Sequence, residues 1–318
     1  MKKKTANYPF AADTTQYVLA LKDNHLSTEQ RQRVSKIMHV ISLIITYTFL
    51  AVMGLIIIFP FYWMIITSLK TGDEIQQTVQ TFYPHVIRWE NYTEALTRLD
   101  FVTLLRNTLI VGIVSTIGTI ITTILAAYAF ARLSFKGRDL MFTLLLGTMM
   151  IPGEMMVISN YISVSRLGMT QSGNYFGNFA AMILPFMVSV FYIYLLRQNF
   201  KQIPNELYLA AKVDGKSDWE FLWKVMVPLA MPTLTTIFIL KLMGAWNSYV
   251  WPNLIATGNK NIYLITNGLR ETFSTADNAN DYGAQMAATV IVTVPLLLLF
   301  VFFRKYIMRG VGRAGIKG

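Results

Sequence analysis

Long apolar runs separated by short charged ones set the pattern of this chain. A helix crossing a bilayer core needs about 20 mostly apolar residues. Runs of that kind fall at 37–69, about 108–131, about 140–165, about 176–196, about 221–245 and 285–303. The first contains no Lys, Arg, Asp or Glu and is long enough to project beyond a membrane. The third is interrupted by Pro152, Gly153 and Glu154. The pattern predicts an all-α membrane protein with six transmembrane helices. Ser27 and Gln30 have capping-box spacing, so a helix is expected to begin near Thr28 and run straight into the first span. The second span carries Gly112, Ser115, Thr119, Thr122, Ala126 and Ala129 at three- and four-residue spacing, a small-residue face suited to close helix packing.

Composition agrees: 54% of the 318 residues are hydrophobic and 14% charged, with a mean hydropathy of +0.44. The formal net charge of +11 would point to nucleic acid in a soluble chain. In a membrane protein, Lys and Arg are instead retained on the cytoplasmic side. The N-terminal segment 1–36, the loops after spans two and four and the tail 305–318, with Arg304 beside it, hold twenty Lys and Arg; the other loops hold seven. Both termini are therefore expected in the cytoplasm, around a six-helix domain at 37–304. Topology accounts for the basic charge, and no nucleic-acid role is expected. Lys2 to Lys4 lead into polar sequence with no apolar segment until about residue 37, unlike a cleavable signal. Asn91, Tyr92 and Thr93 form a glycosylation sequon of the sort that arises often by chance.

Reactive chemistry is scarce. The chain has no Cys, and His25, His39 and His85 are scattered without metal-ligand spacing. Gly215, Lys216 and Ser217 imitate the end of a phosphate-binding loop, but Ala210 stands where that loop requires glycine. Neither an enzyme nor nucleotide binding by this chain is expected. Energy for transport must come from an ion gradient or from a partner. Ion-coupled transporters usually carry several ionisable residues at mid-membrane, and only Glu154 and Lys241 are strong candidates here. Glu154 is either a polar plug at a kinked helix or a substrate-lining group. Lys241, roughly 24 Å along its helix from Val225, either snorkels outward or lines a path. Trp246, Asn247, Tyr249 and Trp251 form an aromatic and amide cluster that suits sugar recognition and an interfacial aromatic belt equally well.

Between spans four and five lies an amphipathic piece, ELYLAAKVDG at 206–215, within a polar segment at about 201–224. Leu207, Leu209 and Val213 offer apolar anchors, Ala210 and Ala211 a thin face, and Gly215 a turn without a Cβ penalty. Read by periodicity alone, it is either a docking helix or a helix lying on the membrane surface. Residues 203–232 resemble the coupling segment of binding-protein-dependent ABC importer permeases. Ala210, Ala211 and Gly215 occupy that pattern's Ala, Ala and Gly positions, Asp214 precedes the Gly, and Pro228 and Pro232 fall in its downstream element. Leu209 stands where the family has Glu, and Glu206 lies nearly a turn earlier. PFYWMIITSLK at 60–70, the WENYTEAL stretch after it, AYAFARLSFKGR at 127–138, MMIP at 149–152, GAWNSYVWP at 244–252 and the ending GVGRAGIKG are similar to the maltose-type carbohydrate branch.

The resemblance implies a type I ABC importer permease fold, with Glu206, Leu207, Leu209, Ala210, Ala211, Asp214 and Gly215 coupling to an ATPase. Glu154, Lys241, Trp246, Asn247 and Trp251 are the candidates for a substrate path. It further implies a second homologous permease, two ATP-binding-cassette ATPase subunits that hold ATP and Mg, an extracytoplasmic solute-binding protein and a carbohydrate substrate; no cofactor is expected in this chain. The basic tail would reach toward the ATPase or anchor to lipid headgroups. The loops at 71–105 and 253–282 would receive the binding protein or serve as structural caps. A self-contained secondary transporter or channel for a small polar solute is the alternative, and it would lack a docking helix.

Overall fold

The computed structural model describes the backbone of residues 28–273 and 279–312, and the side chains of residues 36–273 and 282–304. The chain divides after Trp63 into two compact units. In the first, residues 28–63 form most of α1 (Thr28–Ser68), which starts at the expected position. Ser27, its expected cap, lies outside the described residues, as do the rest of the N-terminal segment before it and residues 313–318 of the tail. Pro60 sits within this helix without ending it.

The second unit takes in the end of α1, then α2 (Gly72–Ile75), α3 (Glu90–Arg98), α4 (Phe101–Arg132), α5 (Arg138–Thr148), α6 (Val157–Arg166), α7 (Tyr175–Ile183) and α8 (Val190–Gln202). It continues with α9 (Asn205–Val213), α10 (Asp218–Phe221), α11 (Val227–Leu229), α12 (Met231–Trp246), α13 (Val250–Ala256), α14 (Ile265–Phe273) and α15 (Ala279–Gly312). Among the described residues, three helical stretches are long and apolar enough to cross a membrane: Lys36–Ser68 of α1, α4, and Tyr282–Arg304 of α15. The other three expected spans are bent pairs, and counting each pair as one span brings the total to six. Arg138–Thr148 and Gly153–Arg166 meet at 89°, at the break expected around Pro152.

The runs expected to be continuous at 176–196 and 221–245 are bent as well, by 49° and 76°. Proline causes both departures. Pro185 sits in a 3-10 turn, Leu184–Phe186, between α7 and α8. Pro228 and Pro232 flank Ala230, where α11 stops and α12 restarts with proline in its first turn. Proline has no N–H to continue a helix, and its ring crowds the carbonyl four residues earlier. Hydropathy cannot register this, because both arms of each pair remain apolar.

α4 is the central element of this unit, packed against α8 and α12; α12 packs against α15, which also meets α2 and α3. The small-residue face of α4 has a second use. Thr119 Oγ1 donates to the Phe186 carbonyl at 3.1 Å and Thr122 Oγ1 to the Met187 carbonyl at 2.7 Å. Carbonyls freed at the α7–α8 break thus find donors inside the bundle, as a lipid environment requires. Packing is equally close at Gly268 on α14, where an added Cβ would lie 2.4 Å from a methyl group of Leu104 on α4. Gly268→Ala is therefore expected to cost about 1–3 kcal/mol through overpacking, read as a lower thermal midpoint of the detergent-purified chain.

The segments after α1 and after α13 both fold back onto α4 or the end of α1. Asn91 is fully buried, and its Nδ2 donates to the carbonyls of Ser68 and Lys70, each at 2.9 Å. The nitrogen a glycan would need is thus engaged and sealed off. Across the other loop, Asn107 Nδ2 donates to the Asn261 carbonyl at 2.9 Å, and Thr108 Oγ1 accepts from the Ile265 N–H at 2.8 Å.

Candidate functional site

The polar segment at 201–224 folds into the end of α8, then α9 and α10. Pro204 fixes the extended step before α9. The far end of α9 closes in a Schellman turn: Lys216 N–H donates to the Ala211 carbonyl at 2.9 Å and Gly215 N–H to the Lys212 carbonyl at 3.1 Å. Gly215 takes φ +72°, the left-handed conformation that glycine adopts without strain. Ser217 then opens α10 through a capping box with Glu220. Two helix ends and the four residues between them, 214–217, are thereby held in one geometry.

α9 has two distinct faces. Tyr208 and Ala211 point inward, Ala211 being 9% exposed and the Tyr208 ring standing edge-on to Phe221 at 5.2 Å. Glu206, Leu207, Leu209, Ala210, Val213 and Asp214 face outward, with Leu209 56% and Val213 88% exposed. The expected thin face made of both alanines is therefore corrected. Neighbouring residues on a helix differ by about 100°, so Ala210 faces out while Ala211 packs into the core. Glu206 lies one turn before Ala210 on the exposed side.

Both ends of α9 are fastened to the last turns of α4. Arg132 donates through its guanidinium to the Phe200 carbonyl at 3.1 Å, to the Ile203 carbonyl, and to Asn205 Oδ1 at 3.3 Å. One turn earlier, the Tyr128 hydroxyl donates to Asp218 Oδ1 at 3.3 Å, which also accepts from the Tyr208 hydroxyl at 2.9 Å. Lys212 Nζ completes the cluster, 3.2 Å from the same oxygen. Its hydrogen bond to Asp218 raises the Lys212 pKa above the ordinary lysine value, so the pair stays ionised at neutral pH.

Deeper in the bundle, a cavity of about 420 Å³ opens where α4, the α7–α8 break, α12 and α13 converge. Lys241 lines it, its Nζ donating to the Phe186 carbonyl at 2.8 Å. Trp251 lines it too, its Nε1 donating to the Ala181 carbonyl at 3.1 Å and its ring edge-on to Phe186. Trp246 shares the hydrophobic core with Trp251 but does not line the cavity. Asn247 is exposed beyond the end of α12, and Glu154 is exposed at the elbow between α5 and α6. Of the five path candidates, only Lys241 and Trp251 line one cavity.

Residues 26–313 match the family described as binding-protein-dependent transport system inner membrane component. The chain belongs to that family. This permease is 29% identical over 269 residues to the lactose transport system permease protein LacG of Rhizobium radiobacter, covering 84% of this chain and 94% of that protein. It is 28% identical over 273 residues to the arabinooligosaccharides transport system permease protein AraQ of Bacillus subtilis, covering 85% of this chain and 94% of AraQ. Its fold matches a crystal structure of a bacterial ABC transporter involved in the import of the acidic polysaccharide alginate, with a TM-score of 0.73, 24% identity, and coverage of 89% of this chain and 99% of that one. The permease is thus a multi-pass component of the inner membrane.

Four residues of the α9 anchorage were not singled out from sequence: Tyr128, Arg132, Tyr208 and Asp218. A usable signal was present. Tyr128 and Arg132 are four apart at the very end of an apolar run, so they share one helix face and leave the membrane together.

Proposed function

We propose that this permease is one half of the translocation path of an ATP-driven carbohydrate importer. It would act beside a second, homologous permease and two ATP-hydrolysing subunits that hold the ATP and Mg. The observation that carries this reading is α9: a short helix that exposes Leu207, Leu209 and Val213 and is clamped at both ends to the central span. Such apolar anchors suit a groove on another protein, and the clamp makes the helix a handle on the bundle. Movement of the ATP-hydrolysing subunits would then tilt the spans between two access states, with no chemistry performed by this chain.

In this reading both termini and α9 are cytoplasmic, supported by the excess of twenty Lys and Arg over seven. The domain limits follow as a cytoplasmic segment at 1–36, the helical domain at 37–304 and a tail at 305–318. The outer loops, braced by Asn91 and Asn107, would receive a solute-binding protein. One solved neighbour is an alginate ABC transporter in complex with an alginate pentasaccharide-bound periplasmic protein, and LacG and AraQ are named for saccharides. A carbohydrate is accordingly the proposed substrate.

The test is Val213→Asp in the reconstituted importer. A charge on the most exposed apolar position of α9 should weaken ATPase-subunit binding and cut ATP-dependent uptake at least about tenfold, the scale of an interface hot spot, while membrane insertion is unchanged. Uptake at the unmodified rate, or uptake that needs no ATP, would overturn the proposal.

A further inference from the structure

Lys241 lies ten residues into α12, about 15 Å from its start, and is half-buried on the cavity wall among apolar helices. Its ammonium carries three donors, and both contacts seen are to Phe186, a hydrogen bond to its carbonyl and a 5.9 Å approach to its ring. That carbonyl already accepts from Thr119 Oγ1, so it does not depend on the lysine. Among the described residues Lys241 joins no ion pair, and no carboxylate lines its cavity. Nor does the side chain snorkel to an end of its helix, since it turns toward the α7–α8 break. A positive charge held at this depth with no opposite charge is unfavourable until an anion arrives.

The rest of the cavity suits a sugar ring. Its walls include the rings of Tyr192, Trp251 and Phe186 and the hydroxyls of Ser189 and Ser248, and its volume of about 420 Å³ falls within the range of small-ligand sites. We propose that it is a subsite for a sugar carrying an anionic group, a carboxylate or a phosphate, with Lys241 as the counter-ion and the aromatic rings against the apolar sugar face. This rests on the carbohydrate-permease reading and narrows its substrate class.

The chain has no Cys, so Ser189→Cys places a single thiol of this permease in the cavity of the complete reconstituted importer. Ser189 makes no side-chain cap bond that the change would remove. In vesicles of zwitterionic lipid, that thiol is expected to react with the anionic sulfonatoethyl methanethiosulfonate at least about fivefold faster than with the cationic trimethylammonioethyl reagent, after correction for their rates with free thiol. Adding Lys241→Met should erase the preference. Galacturonate or glucose 6-phosphate should slow the labelling while galactose and glucose do not, and the more effective of the two identifies the anion as carboxylate or phosphate.

No charge preference, or one that survives Lys241→Met, overturns the proposal. So does protection by none of the four sugars, or equal protection by the neutral ones. Protection conferred by anionic lipid alone would make the lysine a headgroup site and likewise overturn it. Retained ATP-dependent uptake in those cases leaves the importer reading standing, whereas ATP-independent uptake removes that reading itself.

Discussion

A Gly215→Pro permease is expected to insert and pack as before yet to lose nearly all ATP-dependent uptake. Proline fixes φ near −65°, whereas Gly215 sits at +72°. Proline also lacks the N–H that Gly215 donates to the Lys212 carbonyl. The combined cost is about 3 kcal/mol or more, roughly a hundredfold or greater loss in the population of the native turn. The damage stays local because Gly215 is exposed and open space surrounds the point where a Cβ would sit. Gly215→Ala should fall between the two, since it keeps the N–H and carries only the left-handed strain of about 1–2 kcal/mol. Uptake per ATP hydrolysed, measured for all three chains at matched membrane abundance, checks the order. Equal uptake by the proline variant would remove the Schellman turn from the mechanism.

Arg132→Met tests the clamp from the other side. Methionine preserves much of the aliphatic stem but removes three hydrogen bonds: two to carbonyls where α8 ends and one to Asn205 at the start of α9. Hydrogen bonds from charged donors contribute about 1.5–3 kcal/mol each, so losing the set should weaken the α9 attachment by several kcal/mol. The expected result is decoupling: ATP is still hydrolysed on docking, but uptake per ATP falls at least about tenfold. Arg132→Lys should recover only part, because a single ammonium cannot reproduce the planar fork. Transport at the original ratio in the methionine chain would show that α9 moves the bundle by another route.

The family, the helical class and the position of α9 were legible in the sequence because each depends on local signals. Apolar run length marks the spans, Pro204 and Gly215 bracket α9, and the break at Pro152 is written in the residues themselves. What could not be read depends on contacts between distant segments. Nothing local says that Ala211 faces inward while Ala210 faces out; that follows from Tyr208, on the same face of α9 as Ala211, packing onto Phe221. Trp246 and Trp251 look alike as members of one aromatic cluster and both are buried in one core, yet only Trp251, beyond the helix end between them, reaches the cavity wall. Asp218 reads as an ordinary polar loop residue until Tyr128, 90 positions earlier, is brought beside it. Residues 1–27 lie outside the described residues.

The bend at Ala230 has a mechanical consequence. The two arms meeting there, Asp218–Leu229 and Met231–Trp246, stand at 76° and are about 18 Å and 24 Å long at 1.5 Å per residue. Their corner is stiff: Ala230 is fully buried and its N–H is held by the Met226 carbonyl at 3.0 Å. In the proposed importer such a piece would act as a bell crank, in which sideways travel at the tip of the short arm becomes rotation of the long one. With those lengths, a shift of about 2 Å turns the crank by roughly 6° and swings the Trp246 end by nearly 3 Å.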